Sequence, residues 1–555
     1  MGIWARCLAR PLDELPDHGW KLHVSGRPAD LPDILAELAE EYLLRPFSFK
    51  CVRATEIAVA QLSRWWPRGV AGKAVAVYPE STDDARELAE RLTRRLARFE
   101  GPHILTDRRW RGSNTVQYRY GTFRRPVGVD ADGHPESAVT GPDGSPWSDD
   151  RTPRFTLPPW LSEDPFGHDE PGSSEFLQRY RPRSVLRHST AGGVYLATGP
   201  DGTEVVLKEA RPHTAFAPDG SDAVQRLHRE RDFLDRLKPT GIAPQALEIA
   251  EVWEHTFLAQ TKVPGITFQR WLAKYHPFAQ GIDDPGHLAS YRERVDHLID
   301  QLRAAVLTCL EHGVVYGDMS LTNLLVDETD TLRLIDFEGC RPGGTDPADY
   351  PRTTGFSAAD GSRAGQSDED ALRFAVRTVE AACVVPRNAL IVLDTAAYGR
   401  TLRHNAALLE RPVQALVTEL AEGAPGIDGP DDPARSPAEV AADVARQIRS
   451  AATPHRPDRL FPGHPEMFRT NPLSVAYGAA GVLRALKLLD GRVDEEHVGW
   501  LLGRLDTAPL PHGLYLGTAG IGVSLIELGE TGRGTDLLRD ASRHAGTAGA
   551  PAGVA

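Results

Sequence analysis

Alternating hydrophobic and polar positions predict strands and helices in the first 125 residues. The run KLHVSG, residues 21–26, alternates as a half-buried strand does, and KAVAVYPE, residues 73–80, predicts a second strand. The stretches LPDILAELAEEYLL and DDARELAERLTRRLARF carry apolar residues at helical spacing. Residues 1–125 are therefore predicted to form an α/β domain.

The pattern changes several times further along the chain. Residues 126–174 are dense in Gly, Pro, Ser and Asp, which predicts a linker or exposed insertion. Residues 175–421 begin with strand-like runs and continue with long helical stretches, the order of a small β lobe followed by a helical lobe. A second loose region, 422–471, precedes residues 472–555, where two Gly-rich helical phrases recur about forty residues apart. The predicted fold class is multidomain α+β.

Composition and charge narrow the functional classes. The length of 555 residues suggests three or four domains. A net charge of −14 argues against a nucleic-acid partner, because phosphate backbones are held mainly by basic surfaces. No run is apolar and long enough to span a membrane, and the acidic N-terminal segment is unlike a signal peptide. Five scattered cysteines indicate neither a disulfide framework nor a zinc knuckle, so we expect a soluble cytoplasmic protein.

The strongest chemical signal is VVYGDMSLTNLLVD followed by LRLIDFEG. Asp318 and Asn323 lie five residues apart, and Asp336 opens the second phrase after a strand. This pattern resembles the protein-kinase catalytic loop and its DFG segment. The resemblance implies that Asp318 accepts the proton of a substrate hydroxyl. It also implies that Asn323 and Asp336 hold Mg²⁺ against the phosphates of ATP or GTP.

Upstream text resembles two further kinase segments. The phrase STAGGVYLATGPDGTEVVLKEA is similar to a glycine-rich loop and the lysine strand that follows it. The resemblance implies that Gly192 and Gly193 cover the nucleotide phosphates and that Lys208 contacts them. Glu230, in the helical phrase RLHRERDFLDRL, would pair with that lysine.

Three departures from the kinase pattern keep alternatives open. Tyr316 replaces the usual His, Ser320 replaces a Lys, and only two glycines of the loop remain. RTTGFSAAD, residues 352–360, still resembles the end of an activation segment, with Asp360 for the usual Glu, and Asp368 occupies an anchoring position. A small-molecule phosphotransferase with an N-terminal regulatory module is the alternative function. A pseudokinase scaffold is a third reading, opposed by the retained polar residues.

Lysine is scarce in this chain, which holds 63 Lys plus Arg but only eight lysines. Lys21 and His23 share one face of a predicted strand, and Lys50 closes RPFSFK at another. This arrangement resembles the phosphothreonine lyases. The resemblance implies that Lys50 removes an α-proton, with its pKa lowered by neighbouring cations, and that His23 protonates the departing phosphate. Lys21, Arg109 and Arg119 would clamp the phosphate, and Lys73 is read as a surface charge.

The combination resembles the class III and class IV lanthipeptide synthetases, which join lyase, kinase and cyclase domains. The resemblance implies that Ser and Thr of a ribosomally made precursor peptide with a leader become dehydroalanine and dehydrobutyrine, which cysteines then attack. About eighty residues follow Pro472, so the cyclase part is expected to be incomplete. No cysteine follows Cys383, so no Cys/Cys/His zinc site is visible. Nucleotide preference, ring type and a homo-oligomeric state stay open.

Overall fold

The protein is described by a computed structural model. It describes residues 3–11, 14–123, 128–129, 135–136, 138–142, 144–149, 152–167, 174–345, 367–385, 395–411, 436–463, 467, 470–507 and 510–544. Three successive regions are visible, each with its own hydrophobic core.

The N-terminal region is built on a six-stranded sheet of order β1-β3-β4-β2-β6-β5, in which every neighbouring pair is antiparallel. The region is therefore α+β, whereas the sequence predicted α/β. Its elements are β1 Trp4–Cys7, β2 His18–Val24, α1 Leu31–Leu44, β3 Ser48–Val52, α2 Thr55–Leu62, β4 Val75–Tyr78, α3 Thr82–Arg95, β5 Arg108–Arg109, β6 Val116–Thr122, β7 Gly128–Val129, β8 Pro135–Glu136, β9 Ala138–Thr140 and β10 Pro146–Ser148.

Strand alternation divides this sheet into an apolar face and a polar face. Leu22 and Val24 of β2 lie in the core, together with Ile34 of α1 and Leu88 of α3. Their neighbours along β2 point to the opposite face because successive side chains of a strand alternate. The predicted alternation of KLHVSG thus serves two purposes: it buries one row and presents the other for chemistry.

The segment predicted as a linker contributes to this domain. Side chains of Trp147, Phe155, Trp160 and Phe166 pack against the N-terminal core. The reason is compositional: four large aromatic residues within Gly- and Pro-rich text bury too much apolar surface to stay in solvent. We therefore extend the N-terminal domain beyond residue 125, through these aromatic residues.

The central region has the two lobes that the sequence predicts. A five-stranded antiparallel sheet of order β11-β12-β13-β15-β14 contacts helix α5, and a helical lobe surrounds the long helix α7. Its elements are α4 Glu175–Arg179, β11 Arg181–Ser189, β12 Gly192–Thr198, β13 Glu204–Ala210, α5 Ala223–Leu237, β14 Ala246–Val252, β15 His255–Thr261, β16 Ile266–Thr267, α6 Phe268–Tyr275, α7 Pro285–Glu311, β17 Val314–Val315, β18 Leu324–Val326, β19 Leu332–Leu334, β20 Arg341–Pro342, α8 Asp368–Val384 and α9 Thr395–Leu408.

The helical lobe contains one predicted anchor, and one predicted segment falls outside the described residues. Asp368 accepts hydrogen bonds from Arg341 at 2.5 Å and from the backbone N–H of Gly344 at 2.8 Å. This carboxylate therefore joins the start of α8 to β20. The phrase RTTGFSAAD, with Asp360, lies outside the residues that the structure describes.

The C-terminal region is helical and repeats a glycine pattern. Its elements are α10 Pro437–Ser450, α11 Ala479–Asp490, α12 Glu495–Leu502, α13 Thr518–Leu528 and α14 Thr531–His544. A Cβ atom on Gly481 would lie 2.0 Å from the carbonyl oxygen of Val475, and one on Gly520 would lie 1.7 Å from that of Leu514. Both repeats therefore require glycine where the chain crosses the start of a helix.

Part of the second predicted linker also belongs to this C-terminal core. Ala445 of α10, with Leu460 and Phe461, is buried among residues of α11 and α12. The apolar positions of α10 recur at helical spacing, but the Pro and Gly content of residues 422–471 as a whole favours the prediction of a linker. Among the described residues, no helix is both long and apolar enough to cross a membrane.

Candidate active sites

The nucleotide cleft of the central region is organised by Lys208. Its Nζ lies 2.6 Å from Oε1 of Glu230 and 2.7 Å from Oδ1 of Asp336, so strand β13 and helix α5 meet the residue that follows β19. The backbone N–H of Phe337 also donates to Glu230, at 3.1 Å. Three residues predicted to act together are thus in direct contact.

Burial acts to raise the pKa values of Glu230 and Asp336, and nearby positive charges act to lower them. Burial raises the pKa of Glu230, although the nearby ammonium of Lys208 acts against this. Burial also acts to raise the pKa of Asp336, but the positive charges of Lys208, Arg64 and Arg187 outweigh it and lower that pKa to about 2. Asp336 is therefore ionised at neutral pH, as a metal-binding carboxylate must be.

The glycine turn between β11 and β12 forms the roof of the cleft. A Cβ on Gly192 would lie 1.8 Å from the carbonyl oxygen of Glu209, so any other residue would push the strands apart. A Cβ on Gly193 would meet the hydroxyl of Tyr195 at 2.4 Å. Both predicted glycines line one cavity, whose other walls include Arg64, Arg187, Lys208, Glu230, Asp336 and Glu338.

The catalytic-loop residues lie on connected backbone beside this cleft. The side-chain N–H of Asn323 donates to the carbonyl of Asp318 at 3.0 Å, and the N–H of Ile335 donates to the carbonyl of Asn323 at 2.9 Å. Tyr316, which replaces the expected His, is buried and donates to the carbonyl of Ile335 at 2.5 Å. Tyr316 therefore ties the catalytic loop to the strand that leads to Asp336.

Magnesium fits the chemistry of these donors. Asn323 and Asp336 offer a carboxamide oxygen and an ionised carboxylate, and hard oxygen ligands are those that Mg²⁺ prefers, with nucleotide phosphates completing the shell. Clusters of three or more His, Cys, Asp or Glu suited to holding a metal are absent from the part of the chain that the structure describes.

A second cavity lies on the polar face of the N-terminal sheet. In the sheet register, His23 of β2 is opposite Ala76 of β4, which is opposite Lys50 of β3. The three residues form one row, with the Cα atoms of His23 and Lys50 roughly 10 Å apart at two strand spacings. Lys21 is paired with Arg119 of β6. The same cavity is lined by Lys21, His23, Lys50 and Arg119.

Cations dominate this cavity. Lys21 and Arg119 are buried, and the ammonium of Lys50 lies 4.6 Å from the centre of the Trp4 ring. Arg119 is held at 2.5 Å by the buried carboxylate of Asp149, from the segment predicted as a linker. A pocket lined by several cations and one imidazole favours an anionic ligand.

His23 is controlled by Asp107, a residue that the sequence reading did not single out. Nδ1 of His23 lies 2.5 Å from Oδ2 of Asp107, whose other oxygen is 3.7 Å from Lys73. Burial, with the positive charges of Lys73 and Lys21, lowers the pKa of His23 to about 3 against the opposing effect of Asp107. The imidazole is therefore neutral at neutral pH. The positive charge of Lys73 and the hydrogen bond with His23 lower the pKa of Asp107 despite its burial.

Two sequence readings need correction here. Lys73, read as a surface charge, is buried and lines the cavity near Asp107. Arg109, predicted as a phosphate clamp, is ion-paired with Glu254 of the central region, and it is not among the residues that line the cavity. We therefore replace Arg109 by Lys73 in the proposed phosphate site. The strand register, rather than the local sequence, decides which of these cations faces the pocket.

One short segment borders both cavities. Residues 62–68, which we call the docking segment, follow α2 and contact the small lobe of the central region. The N–H of Ala215 donates to the carbonyl of Leu62 at 2.8 Å, and the hydroxyl of Thr190 donates to that of Trp66 at 2.6 Å. Arg64 of this segment lines the nucleotide cleft, whereas Trp66 lines the cationic cavity.

These features define a kinase-like domain joined to an α+β domain with a cavity lined by cationic side chains. The N-terminal part of the chain matches the family model "RamC, N-terminal domain" over residues 1–175. The chain is 33% identical, over an alignment of 589 residues, to "Probable SapB synthase" from Streptomyces coelicolor, covering 95% of this chain and 62% of that protein. Residues 1–175 are therefore similar to the N-terminal domain of RamC, and both likenesses agree with the family resemblance that the motifs predict.

Each likeness covers only part of this chain or of the protein compared with it. The chain spans less than two thirds of the length of the SapB synthase that it matches. Among solved structures, the kinase PK-1 of Cydia pomonella granulovirus is similar over 38% of this chain and 70% of that protein, with 18% identity and a TM-score of 0.30. The contacts of Lys208 with Glu230 and Asp336 indicate a kinase-like domain independently of that likeness.

Proposed function

We propose that the chain is a lanthipeptide synthetase that dehydrates Ser and Thr of a precursor peptide in two steps. The central region phosphorylates the hydroxyl, and the N-terminal domain eliminates the phosphate. The observation that carries this proposal is the pairing, within one chain, of a Lys208–Glu230–Asp336 cluster with a cationic pocket containing Lys50 and His23.

In the first step the substrate hydroxyl oxygen attacks the γ-phosphorus of ATP or GTP. Asp318 accepts the hydroxyl proton, and the bond from the γ-phosphorus to the bridging oxygen breaks, with its electron pair leaving on the nucleoside diphosphate. Lys208 contacts the nucleotide phosphates, and Glu230 holds its ammonium in place. Asn323 and Asp336 would hold Mg²⁺, which supplies charge neutralisation at the phosphates when bound.

In the second step the phosphorylated residue enters the cationic pocket. Lys50 removes the α-proton, the Cα–Cβ double bond forms, and the Cβ–O bond breaks, with its electron pair leaving on phosphate. Lys21, Lys73 and Arg119 neutralise the phosphate. The negative charge of the bound phosphate adds to that of Asp107, so that His23 is protonated and donates a proton to the leaving oxygen.

The C-terminal helices complete the proposal. Cysteines of the precursor attack the dehydro residues, and a cyclase domain of which α10 to α14 form part would guide that addition. The repeated tight glycine contacts at Gly481 and Gly520 support a repeat architecture in this region.

Mass spectrometry of the precursor tests the two steps separately. Wild-type protein with precursor, ATP or GTP, and Mg²⁺ should remove one water per modified residue. Lys50→Ala should instead leave peptide that carries phosphate, because the phosphate is still attached but is no longer eliminated. Lys208→Met should leave the precursor unmodified but still eliminate phosphate from a synthetic phosphopeptide.

Two outcomes would contradict this assignment. Undiminished dehydration by Lys50→Ala would remove the base from the mechanism. Efficient phosphorylation of free-hydroxyl metabolites, with no turnover of any peptide, would favour the small-molecule phosphotransferase instead. Thermal unfolding of each variant should match wild type within a few degrees, which controls for loss of folding.

A further inference from the structure

The nucleotide cleft contains a cation that the kinase-like region does not itself supply. Arg64 belongs to the N-terminal domain, yet its side chain lines the cleft together with the glycine turn and Lys208. Its guanidinium is ion-paired with Glu338, in the phrase that also contains Asp336. A residue of one domain thus enters the candidate active site of the other.

Glu338 does not by itself explain the presence of Arg64. The same Oε1 atom of Glu338 already accepts a hydrogen bond at 2.8 Å from Arg226, which is buried within the kinase-like region. Two guanidinium groups therefore converge on one carboxylate oxygen. Arg226 belongs to helix α5 and is buried, whereas Arg64 comes from the docking segment and its side chain is 30% exposed.

The docking segment also holds the glycine turn. Thr190, completely buried beside that turn, donates its hydroxyl proton to the carbonyl of Trp66 at 2.6 Å. The N–H of Ala215 binds the carbonyl of Leu62 on the other side of Arg64. Backbone contacts on both sides of Arg64 therefore hold it at the cavity that Gly192 and Gly193 also line.

We propose that Arg64 contacts the phosphates of the bound nucleotide, so that the N-terminal domain completes the kinase active site. This inference rests on the proposed function of the cleft. A planar guanidinium is suited to bidentate hydrogen bonding with phosphate oxygens. The carboxylates of Glu230, Asp336 and Glu338 line the same cleft, so an anionic nucleotide requires additional positive charge there.

Nucleoside and nucleotide affinities test the proposal directly. We expect Arg64→Ala to weaken binding of ADP or GDP about tenfold and to leave binding of adenosine or guanosine unchanged, because the nucleosides lack the phosphates. Arg64→Lys should lie between the two, since a lysine keeps the charge without the planar fork. Arg94→Ala is the matched control, because Arg94 is exposed on α3 of the same domain.

Turnover provides the second measurement. With precursor and ATP or GTP, Arg64→Ala should form phosphopeptide about a hundredfold more slowly, and free guanidinium should restore part of the rate. Elimination from a synthetic phosphopeptide should equal that of wild type. Equal weakening of diphosphate and nucleoside would show a merely structural role and overturn the inference, as would wild-type behaviour of Arg64→Ala. If wild-type protein modifies no peptide, the proposed function fails, whereas the affinity comparison still decides the role of Arg64.

Discussion

Replacing Asp107 with Asn should separate the two proposed steps. The carboxylate lies 2.5 Å from Nδ1 of His23 and is fully enclosed, so it fixes the ring and stabilises the imidazolium that forms when phosphate is bound. A hydrogen bond to a charged group contributes about 1.5–3 kcal/mol. At about 1.4 kcal/mol for each factor of ten, the elimination rate should fall roughly 10- to 150-fold.

The assay is single-turnover release of inorganic phosphate from a synthetic phosphopeptide. Phosphorylation of the precursor should proceed at the wild-type rate, because Asp107 does not line the nucleotide cleft. Phosphopeptide should therefore accumulate before it is eliminated. The same signature would be absent if His23 were only a buried structural residue.

Asp164→Asn provides the matched control. Asp164 is another buried carboxylate of the same domain; it accepts from the hydroxyl of Tyr118 at 2.6 Å and from Arg108 at 2.8 Å, but it does not line the cationic cavity. Both variants should lower the free energy of unfolding by about 1–3 kcal/mol. A loss of elimination in both, in proportion to lost stability, would refute the assigned role of Asp107.

Two further predictions concern pH and the repeat glycines. The pKa of His23 is about 3 in the folded protein against 6.5 ordinarily, so the unfolded chain binds the extra proton between those values and the associated stability, complete above pH 6.5, is lost as pH falls. The free energy of unfolding, measured in urea, should therefore drop by about 1.5 kcal/mol more in wild type than in His23→Gln between pH 6.5 and 5, and equal slopes would exclude a neutral buried His23. Gly520→Ala places Cβ 1.7 Å from the carbonyl of Leu514 and should lower the melting temperature of the C-terminal region by several degrees, whereas Gly532→Ala, with no atom within 4 Å, should not; equal melting temperatures would count against the tight contact.

The sequence predicts the kinase-like cluster well because its signals are local. Asp318 and Asn323 share one loop, Lys208 lies within a strand, and Asp336 follows closely after another strand, each with a clear apolar pattern. The resemblance also places Glu230 on a helix, and the structure brings it to Lys208. The contacts among these residues are those that the resemblance to the kinase motifs predicts.

The sequence predicts only some of the residues of the cationic pocket. Lys21 and His23 share a strand face, which alternation reveals, but Asp107 and Lys73 reach His23 from other parts of the chain. Their contribution depends on strand register and loop path. The sequence does contain a signal, because Lys73 is one of only eight lysines and Asp107 directly precedes two arginines.

Domain limits were misjudged for a related reason. Gly and Pro content suggested linkers, yet Trp147 and Trp160 pack in the N-terminal core, and Ala445 is buried in the C-terminal one. Composition averages over a window, whereas a few large apolar side chains decide whether that window is buried. Counting aromatic residues within such windows would have corrected the boundary.

The docking segment has a consequence for making chimeras of such enzymes. The backbone carbonyls of Leu62 and Trp66 accept hydrogen bonds from the small lobe, and Trp66 also borders the cationic cavity. A chimera that exchanges only the N-terminal sheet would therefore break contacts that join the two domains. A hybrid that joins a foreign front half to this kinase-like lobe would present an unmatched surface to Thr190. We expect crossover designs that transplant residues 62–68 together with the small lobe to retain both proposed steps, whereas cuts that separate them should lose the proposed phosphorylation.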